Sequence, residues 1–227
     1  MSETRPTRSE WLSKTLARAR SRGLSEVAGA LRDQLSSKVS SRGTLQFLAR
    51  DTPDSCPQTN GLIFRAAGLS DAEGYERDIG TDSRATFRAR LTDATACYLV
   101  LAGDRIVHAS WVTTARAWTG ELRAFVTPPK GSAYVYESFT SPQERGRGIY
   151  PAALRCVCAD LDARGIHRVY IGVDAANRPS MRAITKASFE PLFSIRYAAR
   201  LGRFEVGDPE GPDVDLAREL LSLPPGH

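Results

Sequence analysis

Residues 141–150 read SPQERGRGIY, and a helical pattern, PAALRCVCADLDARG, follows at once. Gly146 and Gly148 alternate there with Arg145 and Arg147. Glycine tolerates positive φ and lets a ligand approach the backbone. The free N–H groups in a helix's first turn favour an anion by about 0.3–1 kcal/mol. The residue set is therefore that of a phosphate cradle. Glycine and arginine also fill ordinary exposed turns, so the loop alone leaves both readings open. Two phosphate-binding patterns are poor fits. A P-loop requires Lys-Ser or Lys-Thr behind its glycines, and none follows here. A Rossmann fingerprint requires a small residue three places after Gly148, where Pro151 stands.

The elements around the loop decide what it can do. SAYVYESFT (132–140) has strand character and ends in the loop. The helix behind it carries an apolar stripe at Ile149, Ala153, Leu154, Val157, Cys158 and Leu161, and Gly165 is placed to stop it. Pro151 is tolerated because the first turn has no internal bond for it to remove. HRVYIGVD then alternates as a strand, so the unit is a strand–helix–strand crossover between parallel neighbours. ANRPSMRAITKASFE predicts a helix capped by Asn177, followed by two β-like runs, EPLFSIR and YAARLGRFEV. Upstream, LIFRAAG reads as a strand, residues 70–94 as one or two helical pieces broken near Gly80, and 96–115 as a hairpin around Gly103-Asp104. ELRAFV adds a further strand, and DVDLARELLSL a short C-terminal helix.

The 227 residues suit one sizeable core with appendages. Residues 1–43 hold nine basic and four acidic side chains, so they account for the whole net charge of +5. Stripes at Trp11, Leu12, Thr15, Leu16 and Ala19, and at Leu24, Val27, Leu31 and Leu35, predict two short amphipathic helices. These are expected to pack on the main domain or on a second subunit, so a homodimer is compatible. Nucleic-acid or membrane-surface binding is disfavoured, because aromatic interleaving and a recognised binding motif are both absent. RDTPDSCPQTNG (50–61) reads as a linker. With no apolar run of membrane-span length and no apolar signal core, a cytoplasmic location is expected. Cys56, Cys97, Cys156 and Cys158 form no Cys-x-x-Cys pair, and Cys156 and Cys158 do not face each other on a helix. Buried thiols are expected rather than zinc or a disulfide.

Gln143, Gly146 and Gly148, between a strand and a helix, resemble the Gln/Arg-x-x-Gly-x-Gly/Ala pyrophosphate loop of the GNAT superfamily of acyl-CoA-dependent N-acetyltransferases. Asn177, Ser180, Lys186 and Ser188-Phe189 resemble that family's downstream pattern, with one glycine replaced. The resemblance spans residues 133–189. It implies a mixed α/β (α+β) GNAT fold: a central twisted mixed sheet with splayed middle strands, flanked by helices. The implied organisation is a basic extension (1–43), a linker or first strand (44–60), an acyltransferase domain (60–205) and a tail with a short helix (206–227).

The implied co-substrate is acetyl-CoA, with no metal, and the acceptor is the primary amine of a small molecule. Its pantetheine would lie against the open edges of Ser138, Phe139 and Thr140, and a backbone N–H near Thr140 would stabilise the thioester oxygen. N–H groups from 144 to 149 (Glu144, Arg145, Gly146, Arg147, Gly148, Ile149) would hold the pyrophosphate, and Asn177 and Ser180 would touch the CoA arm. The family's tyrosine acid would fall at Ile184, so the acid is missing from its usual place. Glu137 is the candidate base, with an arginine-paired strand residue as its competing role. Tyr197 and Tyr150 are candidate replacement acids. Asp174 is expected in a turn and His108 in a structural role. The rival function is a catalytically inactive acyl-CoA-binding module.

Overall fold

In a computed structural model, residues 40–52, 55–57, 61–200 and 203–221 are described. The two amphipathic helices expected before residue 36 lie outside them. Ten strands and five helices follow in chain order: β1 (Ser40–Asp51), β2 (Leu62–Ala66), α1 (Ala72–Asp78), α2 (Arg84–Arg90), β3 (Thr95–Ala102), β4 (Arg105–Thr113), β5 (Ala117–Thr119), β6 (Ala124–Val126), β7 (Ser132–Thr140), α3 (Ile149–Ala163), β8 (Arg168–Asp174), α4 (Arg178–Lys186), β9 (Glu190–Arg200), β10 (Arg203–Glu210) and α5 (Val214–Leu221). Eight strands form one sheet in the order β10-β9-β1-β8-β7-β4-β3-β2, and β5 pairs with β6 apart from it. Among the described residues only the β7–β8 pair is parallel. The fold is thus the expected mixed α/β sheet flanked by helices.

Each face of the sheet has its own core. On one, α3 and α4 cover Val112, Ala133, Val135, Val169 and Ile171, with Leu154, Val157, Leu161 and Ile184 as the helical contribution. The apolar stripe read on α3 is buried at every one of its six positions. Truncating a fully buried residue such as Leu154 to alanine costs about 2–5 kcal/mol. The other face carries α1 and α2 over Cys97, Leu99 and Trp111, and α5 with the β5–β6 ribbon over Phe47, Tyr134 and Phe193. Tyr136 packs against both of these clusters, so they share one face.

Three expectations change. Of the linker or first strand expected over 44–60 the structure shows a strand, β1, which pairs with β8 on one edge and β9 on the other, so a sheet drawn from residue 60 onward would omit it. The first four residues of β1, Ser40 to Gly43, come from the stretch assigned to the basic extension. Cys56 is joined by a disulfide to Cys156, 100 residues away, where buried thiols were expected. The helical argument separates Cys156 from Cys158 correctly, but it says nothing of a partner in the 50–61 segment. Cys97 and Cys158 are buried thiols of the core, as expected. Finally, EPLFSIRYAAR is one continuous strand, so the break between the last two β runs falls after Arg200. Among the described residues no helix is long and apolar enough to cross a membrane.

Candidate active site

The site begins with a failure of pairing. β7 and β8 are in register from Ser132↔Arg168 to Val135↔Ile171, and there the ladder ends. Beyond it β7 continues to Thr140 and β8 to Asp174, so two backbone edges diverge. The cause lies on the other side of β7. Trp111 of β4 pairs with Tyr136 and Ala109 with Phe139, so Ser110 alone faces both Glu137 and Ser138. This is a β-bulge, which bends and twists its strand. Glu137 takes φ 48°, a left-handed conformation that costs a non-glycine residue roughly 1–2 kcal/mol.

Arg90 of α2 holds that conformation in place. Its Nη1 donates to Glu137 Oε2 at 2.7 Å and also to Asp82, whose side chain is fully buried. Its guanidinium lies 3.9 Å from the Trp111 ring centroid. Burial opposes the arginine's charge, but Glu137 and Asp82 outweigh it and raise its pKa further. The arginine pairing foreseen as Glu137's competing role is therefore present. Neither Arg90 nor Asp82 was singled out in the sequence, because nothing in RDIGTDSRATFRAR shows which strand it will meet.

The loop after β7 has the geometry of a cradle. A single 3-10 turn (Pro142–Glu144) leads to Gly146 at φ 79° and Gly148 at φ 75°, and Gly148 is the N-cap of α3. Space is open where a Cβ would stand on either glycine. The N–H groups of Glu144 and Arg145 donate to Ser141 O (2.9 Å) and Pro142 O (3.3 Å), so the expected donor run narrows at its start. Those of Gly146, Arg147, Gly148, Ile149 and Tyr150 precede the first internal bond of the helix, Ala152 N–H to Gly148 O. Gln143 is exposed and Ile149 is buried beneath the loop. Arg145 bends back to donate to Thr140 O at 3.2 Å and lies 5.9 Å from the Phe139 ring centroid, while Arg147 pairs with Glu144.

Thr140 faces the divergence. Ser141 N–H donates to Val107 O, which makes His108 and Thr140 a non-hydrogen-bonded pair. The N–H of such a residue points away from its partner strand, here toward the open edge beside β8. Across the gap, Asn177 caps α4 by accepting from Ser180 N–H at 3.2 Å. Asp174 accepts from Ala176 N–H at 2.8 Å, the turn role expected of it.

Tyr197 reaches this end of β8 from two strands away. It stands opposite Gly43 of β1, where a Cβ would come within 2.5 Å of its hydroxyl oxygen. Because Gly43 has no side chain, the ring lies across β1 and donates to Asp174 Oδ2 at 3.1 Å. Burial and the Asp174 carboxylate both raise its pKa, so it keeps its proton at neutral pH. Tyr197 and Asp174 line an open cleft of about 890 Å³ with Arg42, Arg196 and Glu205. Tyr197 and Glu137 lie on the same face of the sheet, opposite α3. Ile184 is buried in the core beneath α3. Burial pushes the second candidate acid, Tyr150, up to about 12, and the neighbouring Ser138 hydroxyl works against that shift.

The model of the acetyltransferase (GNAT) family matches residues 71–189, just over half of the chain. The chain belongs to the GNAT family. Among solved structures this GNAT chain is similar to a GNAT-family acetyltransferase from Novosphingobium aromaticivorans, at 20% identity and a TM-score of 0.51, covering 70% of this chain and 63% of that one. It is also similar to a GCN5-related N-acetyltransferase from Sphaerobacter thermophilus, at 15% identity and a TM-score of 0.54, covering 82% of this chain and 58% of that one. These likenesses are of fold, and the chain spans less than two thirds of either protein's length. No curated protein sequence matches it. The GNAT match ends at Phe189, so β1, β9, β10 and the Tyr197 side of the cleft lie outside it.

Proposed function

We propose that this chain transfers an acetyl group from acetyl-CoA to a primary amine of a small molecule. The observation that carries the reading is the divergence of β7 from β8 directly before the Gly146/Gly148 loop and the N-terminus of α3. Pantetheine pairs with the open edge of β7 as an added strand would. The pyrophosphate takes the N–H groups of 146–150, with Arg145 and Arg147 at its rim and Asn177 and Ser180 along the CoA arm. Thr140 N–H stabilises the thioester oxygen as the amine attacks. Glu137 receives the ammonium proton, directly or through water, and Tyr197, which keeps its proton in a bond to Asp174, is the candidate donor.

The cleft beside Tyr197 is the acceptor's place, and its lining sets Asp174 and Glu205, which suit a cationic amine, beside Arg42 and Arg196. The test is release of free thiol from acetyl-CoA over a panel of amino sugars, amino acids and polyamines. Turnover with any of them supports the reading. The second reading, an inactive acyl-CoA-binding module, is favoured by Ile184, which leaves the family's acid position inside the core. Tight acetyl-CoA binding with no thiol release across the panel selects it.

A further inference from the structure

One covalent bond takes no part in acetyl transfer. Cys56 and Cys156 are 100 residues apart in the chain and joined by a disulfide. The two sulfurs stand in unlike surroundings. Ser55 and Cys56 are exposed. Cys156 lies midway along α3, only 4% exposed, and lines a small apolar gap with Leu62, Phe64, Val100, Ile149 and Ala153. The chain reaches this point directly from β1. Thr52, one residue past that strand, is anchored behind the end of α3: its N–H donates to His167 O at 3.0 Å and its hydroxyl to Ile166 O at 2.7 Å. Four residues later the chain is bonded to the middle of the helix.

That bond changes what β1 must overcome to find β8. Along the backbone Asp51 and Arg168 are 117 residues apart. Across the disulfide the path is five residues from Asp51 to Cys56 and twelve from Cys156 to Arg168, or 17. The probability of closing a loop falls as about the 3/2 power of its length, so the oxidised unfolded chain brings these two strands together roughly 20-fold more readily than the reduced one. We propose that Cys56 is a thiol-exchange site through which a thiol reductant sets how firmly β1 is held in the sheet. A thiolate bonds to the exposed Cys56 sulfur, the Cys56–Cys156 bond breaks, and its electron pair leaves on Cys156 Sγ, which takes up a proton. A second thiolate attacks the mixed disulfide at the reductant's sulfur, forming the oxidised reductant and freeing Cys56, which takes the second proton. Two electrons thus pass from two thiols to the protein. The freed Cys156 stays in its gap as a small apolar group, so reduction loosens the strand without dismantling the core. None of this rests on the acetyl-transfer reading.

Thiol titration after denaturation, on protein prepared without reductant, should find two free thiols, Cys97 and Cys158, and four once the protein is reduced. Four from the start overturn the proposal. Reduced glutathione should open the bond in the native protein, and a bond that opens only in urea overturns the exchange site. Native Cys156→Ser treated with glutathione disulfide should be modified at Cys56, located by peptide mass, whereas Cys56→Ser should stay unmodified at Cys156. Modification of Cys156 instead overturns the order of attack. Joining β1 is a long-range step, so reduction should slow refolding from urea roughly 20-fold. It should also lower the melting temperature by about 10 °C. Cys56→Ser should refold and melt as the reduced wild type does, with or without reductant. A reduced wild type that refolds as fast as the oxidised one overturns the hold on β1.

Discussion

At Glu137 a left-handed backbone, a strand bulge and an arginine partner meet in one residue. Such strain persists where surrounding contacts over-determine it, and Arg90 with Trp111 provides that restraint here. Glu137→Gln keeps the side chain's size and a hydrogen bond to Arg90 but loses the proton acceptor. If the residue is the base, kcat falls roughly 10²–10⁴-fold while the melting temperature shifts little. Unchanged kcat with a lowered melting temperature would assign Glu137 to the ion-pair network alone. His108 makes a prediction about stability. Its ordinary pKa is 6.5, and in the folded protein it is about 3. Below pH 6.5 the unfolded chain takes up a proton that the folded one refuses. The stability is complete above 6.5 and is lost as pH falls toward 3, at about 1.4 kcal/mol per pH unit from this group. Urea denaturation at pH 7 and pH 5 should show a shallower loss for His108→Gln than for the wild type. Equal losses would mean that the histidine is not desolvated.

Among the elements, the loop and α3 act as one unit. Gly146→Val meets no side chain, so the fold is kept, but φ 79° strains the new residue and its methyls occupy the approach to the N–H groups. Calorimetry should show acetyl-CoA binding weakened at least tenfold with secondary structure unchanged by circular dichroism. Unchanged affinity would remove the loop from the CoA site. This part was legible in the sequence because its signals are local: glycines before a helix, a 3.6-residue stripe on α3, an Asn177 cap on α4. The features that the sequence did not show depend on partners far along the chain. β1 is buried on both faces, with Leu45, Phe47 and Ala49 on one side and Leu48 on the other, so its alternation is obscured. Gly43 reads as an ordinary turn glycine until Tyr197 is seen lying across it. Arg90 reads as a helix-surface charge until the bulge turns Glu137 toward it.

For the molecule as a whole, the matched family region stops short of a complete sheet. Residues 71–189 supply β3, β4, β7 and β8, while the strand beside β8 comes from the N-terminal side of the chain. Deleting residues 1–51 strips a paired edge from both β8 and β9 and exposes Phe47's partners, Phe193 and Tyr134. Such a chain should be insoluble or molten by near-ultraviolet circular dichroism. A deletion ending at residue 39 leaves every described pairing of β1 in place and should keep a cooperative thermal transition. A folded 52–227 fragment would show that β1 is an accessory to the sheet.

The position of β1 also sets an order of events during synthesis. This strand is made before any other described element, yet its two neighbours, β8 and β9, begin 117 and 139 residues after its end. While the ribosome makes the intervening chain, Leu45, Phe47 and Leu48 have no edge to join, and pairing β1 with either neighbour closes a loop about as long as a typical domain. The hairpin of β3 and β4 and the crossover through α3 involve near neighbours and can form meanwhile. Closure of the sheet therefore waits for the C-terminal third, and the unplaced strand is the segment by which a nascent chain would be captured by another.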